Sequence, residues 1–166
     1  MADLDTVLAS NRAATDELLA IASRDPSKWN TPRAPGKWSP AQVTEHVARS
    51  FEEAANAIAE RPNKLPTVPG FLRPLAGWMF RRILRTGKFP KAKTSRAMNP
   101  EATPTSPANP TEAKARLASA QATFERECRA RAGRTFAHAS FGTLSVEDYV
   151  RFTELHTRHH AKQLPS

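Results

Sequence analysis

The spacing of hydrophobic residues predicts four main helices and no β-strand of useful length. A first helix spans about residues 3–23, and its apolar stripe contains Leu4, Leu8, Leu18 and Ala22. We expect a second helix from 40 to about 60, a third from 110 to about 131, and a fourth that begins after Ser145. Over 71–86, helical spacing also predicts a short amphipathic helix that docks on the others through Phe71, Leu72, Leu75, Trp78, Met79 and Ile83.

Three of these helices begin with residues typical of helix N-termini. Ser39-Pro40-Ala41-Gln42 offers a capping serine, a proline at the first helical position and a glutamine that can hydrogen bond back to the cap. Asn109-Pro110-Thr111-Glu112 repeats this arrangement. Ser145-Val146-Glu147-Asp148 begins the last helix after a turn at Gly142.

The lengths of the connections constrain the order of the helices. Short links join the first helix to the second and the third to the fourth, whereas about 50 residues separate the second from the third. A long crossover lets the second and third helices run parallel. The sequence therefore predicts an all-α four-helix bundle in up-down-down-up order. We expect one domain over 1–166, in which 61–110 is a proline-rich, basic crossover that carries the short extra helix.

Positive charge is concentrated in this crossover. The 166-residue chain has a formal net charge of +9, and residues 61–100 contain ten Lys and Arg and no Asp or Glu. Aromatic residues are interleaved with these charges, at Trp78, Phe80 and Phe89. Such a segment could bind an anionic partner, either nucleic acid or a membrane surface. No helix-turn-helix or zinc finger accompanies them, so nucleic acid is not the expected partner.

Cysteine content and hydropathy narrow the expected cellular context. The single cysteine, Cys128, excludes a disulfide scaffold and a zinc ribbon. It lies on the apolar side of the third helix, where we expect a core residue rather than a nucleophile. The first residues lack the features of a secretory signal, and no apolar run approaches the roughly 20 residues of a membrane span. These features predict a cytoplasmic protein.

Histidines provide the candidate chemistry. His156 and His160 lie four residues apart on one helix face, a spacing that suits two ligands of one metal ion. His46 can join them only if the second and fourth helices are antiparallel, as the predicted order makes them. His159 remains an alternative partner for His156, and His138 lies too far along the chain to be a ligand. The alternative to a metal site is a solvated or core histidine pair.

Three polar residues are candidates to line a pocket beside these histidines. Arg49 and Gln163 lie one turn beyond histidines of their own helices, and Asn11 interrupts the leucine stripe of the first helix. Arg49 could hold an anionic group of a substrate or form a surface ion pair. Glu45 lies about 100° around the helix from its histidine neighbour and is not assigned a role.

The residues around the histidines resemble the DinB-like superfamily, in its branch of unknown function. The resemblance is carried by Lys37-Trp38-Ser39-Pro40-Ala41-Gln42, by Glu45-His46-Val47-Ala48-Arg49-Ser50, and by His156-x3-His160 with Gln163. Residues 81–88 and the His138-x2-Phe141-Gly142 element add to it. Ala139 stands where relatives often have proline.

The resemblance implies a bundle that holds a divalent ion, usually zinc or nickel, at His46, His156 and His160. Some relatives are thiol transferases or isomerases that use a low-molecular-weight thiol, others have been suggested to be hydrolases, and many are dimers. We therefore expect a metal-dependent enzyme that acts on a small molecule, an anionic one if Arg49 contacts it. The alternative is a non-catalytic bundle that binds an anionic partner through 61–100.

Overall fold

Helices make up most of the computed structural model, which describes residues 3–90, 94–102 and 105–164. They are α1 (Leu4–Ala22), α2 (Pro40–Ile58), α3 (Arg73–Thr86), α4 (Pro110–Ala130) and α5 (Val146–Ala161). Two short strands, β1 (Thr135–His138) and β2 (Gly142–Ser145), precede α5. In the described part of the chain, no helix combines the length and the hydropathy that crossing a membrane requires. The predicted all-α class is confirmed in outline.

The N-terminal caps form as the sequence predicts. Ser39 accepts a hydrogen bond from the backbone N–H of Gln42 at 3.3 Å, and the Gln42 side chain accepts one from the backbone N–H of Ser39 at 2.9 Å. Asn109 and Ser145 cap α4 and α5 by accepting hydrogen bonds from the backbone N–H groups of Glu112 and Asp148. These caps fix where the helices that carry the histidines begin.

The small sheet corrects the expectation that the chain has no strands. β1 and β2 pair antiparallel, with Phe136 opposite Leu144 and both side chains buried. Gly142 begins β2 with φ +82°, a left-handed conformation that glycine adopts without strain. Each strand has four residues, too few for an alternating pattern to be recognised in the sequence.

The short helix α3 forms in the predicted place and docks through a face that matches the predicted one only in part. Its buried residues are Gly77, Phe80 and Ile83. A Cβ atom at Gly77 would lie 3.3 Å from the carbonyl oxygen of Phe141, so glycine permits the close approach of α3 to the hairpin. The residues expected to dock, apart from Met79 and Ile83, are exposed on the outer side: Phe71, Leu72, Leu75 and Trp78.

α1 and α5 pack side by side and run in the same direction. Ser10 donates a hydrogen bond to Glu154 at 2.8 Å, and further along both helices Glu17 forms an ion pair with Arg158. The paired residues advance together along the two helices. The ends of α1 and α5 therefore lie at the same end of the bundle.

α2 and α4 form a second pair that also runs in one direction. Arg116, near the start of α4, contacts Glu45 near the start of α2 at 3.2 Å. Arg131 contacts Glu60 at 2.9 Å just beyond the ends of both helices. The crossover between α2 and α4 therefore returns the chain to the end of the bundle where α2 begins.

The two helix pairs run in opposite directions. Asp5 at the start of α1 contacts Arg129 near the end of α4 at 2.6 Å, and Arg12 pairs with Glu125 one turn earlier in α4. It follows that α2 is antiparallel to α5. The start of α2 therefore meets the end of α5.

The packing of α2 against α4 can be tested at an aromatic contact in the core. Phe124 is fully buried, with its ring centroid 5.4 Å from that of Phe51. We expect Phe124→Ala to lower the free energy of unfolding by about 3–5 kcal/mol, because the buried ring leaves a cavity. Chemical denaturation followed by circular dichroism would measure the change.

Phe71→Ala is the matched control for this prediction. Phe71 is 82% exposed, so the same substitution should change the free energy of unfolding by about 0.5 kcal/mol or less. Equal losses for the two variants would contradict the packing described here.

Candidate metal centre

Three histidines meet where the start of α2 faces the end of α5. Each of His46, His156 and His160 offers a ring nitrogen that lies within 4.8 Å of the nitrogens offered by the other two. The Nε2 atoms of His156 and His160 face each other at 3.1 Å. Two nitrogen ligands of one tetrahedral zinc ion lie about 3.3 Å apart, so the observed separation suits a shared ion.

Neighbouring oxygens set the orientation of two of these rings. The Nδ1 atom of His46 lies 2.8 Å from the carbonyl oxygen of Met98, and that of His160 lies 2.9 Å from Oε1 of Gln163. A carbonyl oxygen only accepts, so both Nδ1 atoms carry the hydrogen and both Nε2 atoms carry a lone pair. This is the usual way in which outer partners prepare histidine for a metal ion.

Burial keeps the three rings neutral. It lowers the pKa of His156 well below the usual value, and the neighbouring histidines lower it further. Burial, with the proximity of His46, lowers the pKa of His160 to about 3, and burial also lowers the pKa of His46. Neutral imidazole is the form that binds metal ions, so the cluster is in the binding form at neutral pH.

The three histidines line a cavity of about 910 Å³. Trp38 covers one side, with ring centroids 4.8 Å from His46 and 5.9 Å from His160. Phe89 covers another, 5.7 Å from His156. These aromatic rings limit the access of water to the cluster.

Charged side chains contribute to the same cavity. Arg33 and Lys37, from the loop before α2, and Glu101, from the crossover, are among its lining residues. Two cations and one carboxylate favour a ligand with negative charge. Glu101 is not part of the three-histidine cluster.

Of the three candidate pocket residues, only Gln163 is among those that line the cavity in the described part of the chain. Asn11 is buried between helices, where its amide donates to Oγ1 of Thr153 at 2.9 Å and accepts from Gln121 at 3.1 Å. The structure therefore gives Asn11 a role in joining α1 to its neighbours.

Arg49 forms the ion pair that was the alternative to substrate binding. Its Nε atom lies 2.7 Å from Oε1 of Glu45, and it also donates to Thr105. Arg116 contacts the same Glu45 carboxylate. Glu45 is thus held by two guanidinium groups and is not among the cavity-lining residues in the described ranges.

The two remaining histidines lie outside the cluster. The Nε2 atom of His159 lies 2.9 Å from Nε2 of Gln163, at the cavity wall. His138 stacks on Phe141 with ring centroids 4.6 Å apart, and its Nδ1 accepts hydrogen bonds from the N–H groups of Ser140 and Phe141. Burial lowers the pKa of His138 to about 4.

Sequence reasoning missed the contributions that the crossover makes to this site. Met98 supplies a backbone oxygen, which leaves no signal in the sequence, and Phe89 reaches His156 from far along the chain. Trp38 could have been found, since it immediately precedes the cap of α2. Cys128 is buried in the core, and burial raises the pKa of its thiol.

The helices and the cluster together define a helical-bundle protein with a three-histidine site that could hold a metal ion. The family model of the DinB superfamily matches residues 8–164. The chain therefore belongs to the DinB superfamily, and the resemblance of its motifs is confirmed. Searches of curated proteins and of solved structures give no match.

The depressed pKa of His138 predicts a pH dependence of stability. Between pH 6.5 and 4 the unfolded chain binds a proton at this residue and the folded chain does not. The contribution of neutral His138 to the free energy of unfolding is fully present above pH 6.5. It decreases by about 1.4 kcal/mol per pH unit as the pH falls toward 4. We expect His138→Gln to reduce the slope of unfolding free energy against pH by about this amount.

Chemical denaturation at several pH values, in the presence of a chelator, would measure this slope. The difference between variant and parent cancels the contribution of the carboxylates that both share. Identical slopes for the two proteins would mean that His138 is accessible to protons in the folded state.

Proposed function

We propose that this protein is a metal-dependent enzyme that acts on a small molecule, with a zinc or nickel ion held by His46, His156 and His160. One observation carries the proposal: three neutral imidazoles converge in a cavity, and acceptors on Met98 and Gln163 leave ring nitrogens free to bind. Nothing in a purely structural core requires three histidines to face one another. The donor set therefore fits a divalent ion.

Thiol transfer is the reaction that this site supports best. When bound by three histidines, an ion has open positions and can hold a thiol as thiolate or lower the pKa of water. A thiol has a pKa of about 8.5 and water one of about 15.7, so a thiol loses its proton with far less help. The cluster, as far as the structure describes the chain, includes no carboxylate to serve as a base.

The surrounding residues would bind and position the reactants. In such a transfer a sulfur–carbon bond forms, the bond from carbon to its leaving group breaks, and the thiol proton departs with the leaving group or to solvent. Arg33 and Lys37 would attract the carboxylates that small thiols carry. Trp38 and Phe89 would keep water from the reacting carbon. A cytoplasmic location, where small thiols stay reduced, suits this chemistry.

Hydrolysis is the second candidate, and Glu101 is the observation that favours it. This carboxylate is among the residues that line the cavity. It could accept a proton from a water molecule as that water attacks a substrate. A loss of turnover in Glu101→Gln with retained metal binding would support hydrolysis over thiol transfer.

Metal content gives the first test. We expect about one zinc or nickel ion per chain of untagged protein by elemental analysis, and less than about a tenth of that in His156→Ala, since two histidines bind far more weakly than three. His159→Ala is the matched control on the same helix and should retain the ion. Thermal unfolding would verify that both variants are folded.

Two results would contradict this assignment. Protein that stays empty after incubation with zinc or nickel has no functional site at these histidines. Loss of the ion in His159→Ala together with its retention in His156→Ala would move the site to the alternative histidine.

Cobalt substitution tests thiol binding without knowledge of the substrate. We expect a low-molecular-weight thiol, added to cobalt-loaded protein, to produce a sulfur-to-cobalt charge-transfer band in the near ultraviolet. The alcohol analogue should produce none. Cys128→Ala should leave the band unchanged, because Cys128 is buried in the core. If the cobalt protein gives no band with any thiol, thiol transfer is excluded and hydrolysis becomes the leading candidate.

A further inference from the structure

The outer side of α3 and the turn before it expose large apolar side chains. Phe71 is 82% exposed, Leu75 58% and Trp78 51%, and Leu72 lies beside them. We call Phe71, Leu72, Leu75 and Trp78 the outer patch. Single exposed apolar residues are common, but four within eight positions mark an interaction surface.

The position of α3 explains why the patch stays exposed. Its inner face is anchored in the bundle: the ring of Phe80 lies 5.1 Å from Phe141 and 5.2 Å from Phe152. Gly77 brings this face close to the hairpin. Because the inner face is already packed, α3 cannot bury the outer patch by rotating.

Positive charge surrounds the outer patch. Arg81 and Arg85 follow Trp78 at three and seven positions, on the same side of the helix. Arg73 lies between Leu72 and Leu75 in the sequence, and Lys88 follows the end of α3. In the described part of the chain, none of these four side chains forms an ion pair with a carboxylate. Residues 61–100 contain no Asp or Glu, so the charge is not neutralised locally.

A helix with aromatic and aliphatic residues beside free arginines has the chemistry of an interfacial membrane helix. Its apolar side chains enter the boundary between headgroups and acyl chains, and its cations bind lipid phosphates. A second copy of this chain fits poorly, because the contact would bring two sets of arginines together. Nucleic acid would leave Leu72 and Leu75 without a partner.

We propose that α3 binds the surface of an anionic phospholipid membrane, with Phe71, Leu75 and Trp78 inserted and Arg81 and Arg85 on the phosphates. The protein would attach to the bilayer without crossing it. This attachment does not depend on the histidine cluster or on any bound ion.

Vesicle sedimentation tests the proposal with the full chain. We expect binding at low salt to vesicles of phosphatidylcholine with phosphatidylglycerol and little binding to phosphatidylcholine alone. Binding should also shift the tryptophan fluorescence of the protein to the blue, because Trp78 is half exposed in the free protein whereas Trp29 is already buried. The double variant Leu75→Ser/Trp78→Ser should weaken binding about tenfold or more, because it removes the inserted side chains. Arg81→Gln/Arg85→Gln should weaken it to a similar extent.

Arg24→Gln/Arg134→Gln is the charge-matched control. Both residues are exposed and distant from α3 in the sequence, so the control removes the same net charge and should bind like the parent. Added chelator should also leave binding unchanged, whatever the fate of the metal site. Because every substituted residue is at least partly exposed, circular dichroism should report folded proteins in each case.

Four outcomes would overturn the proposal. These are no binding to anionic vesicles, equal weakening in the control pair, binding that is insensitive to loss of Leu75 and Trp78, and tighter binding to DNA or RNA that depends on the arginines alone. Concentration-dependent dimerisation that the Leu75→Ser/Trp78→Ser variant abolishes, without vesicle binding, would assign the patch to a second copy instead.

Discussion

The burial of three imidazole rings against one another is the constraint on which this structure depends. Each ring must stay uncharged, because protonation of any of them would place a positive charge in a largely buried site, and the cluster contains no carboxylate among the described residues. Met98 and Gln163 meet the constraint by accepting the Nδ1 hydrogens. What remains is a set of ring nitrogens close enough together to share one cation.

The helix α2 separates this cluster from the charged residues that are its neighbours in sequence. His46 faces the cavity, whereas Glu45 faces α4 and is held by Arg49 and Arg116. The ion pairs hold the Glu45 carboxylate on another side of the helix. The same helix thus keeps the histidines neutral and binds α4 through charge.

Local patterns predicted most of the helical architecture, and non-local contacts account for the rest. The caps at Ser39, Asn109 and Ser145 and the four-residue spacing of two histidines are signals contained in short segments. Met98 and Phe89 approach the histidines from the crossover, which only tertiary packing determines. Arg49 is a further example. It lies one turn from His46 and was a candidate pocket residue, but its side chain forms an ion pair with Glu45 instead.

Hydrophobic periodicity failed to predict the two strands of the hairpin and the packing face of α3, for different reasons. Four-residue strands carry too little alternation to be recognised. In α3 apolar residues occur on several sides of the helix, so spacing alone could not select the face that packs. Gly77 made that selection, because a residue without a side chain allows the closest approach.

The buried thiol of Cys128 can report on transient opening of the helical bundle. Burial raises the pKa of this thiol, and its position in the core denies access to solutes. A thiol-specific reagent can therefore react only when α4 separates from its neighbours. The rate of that reaction measures how often α4 separates from its neighbours, and no mutation is needed to introduce the reactive group.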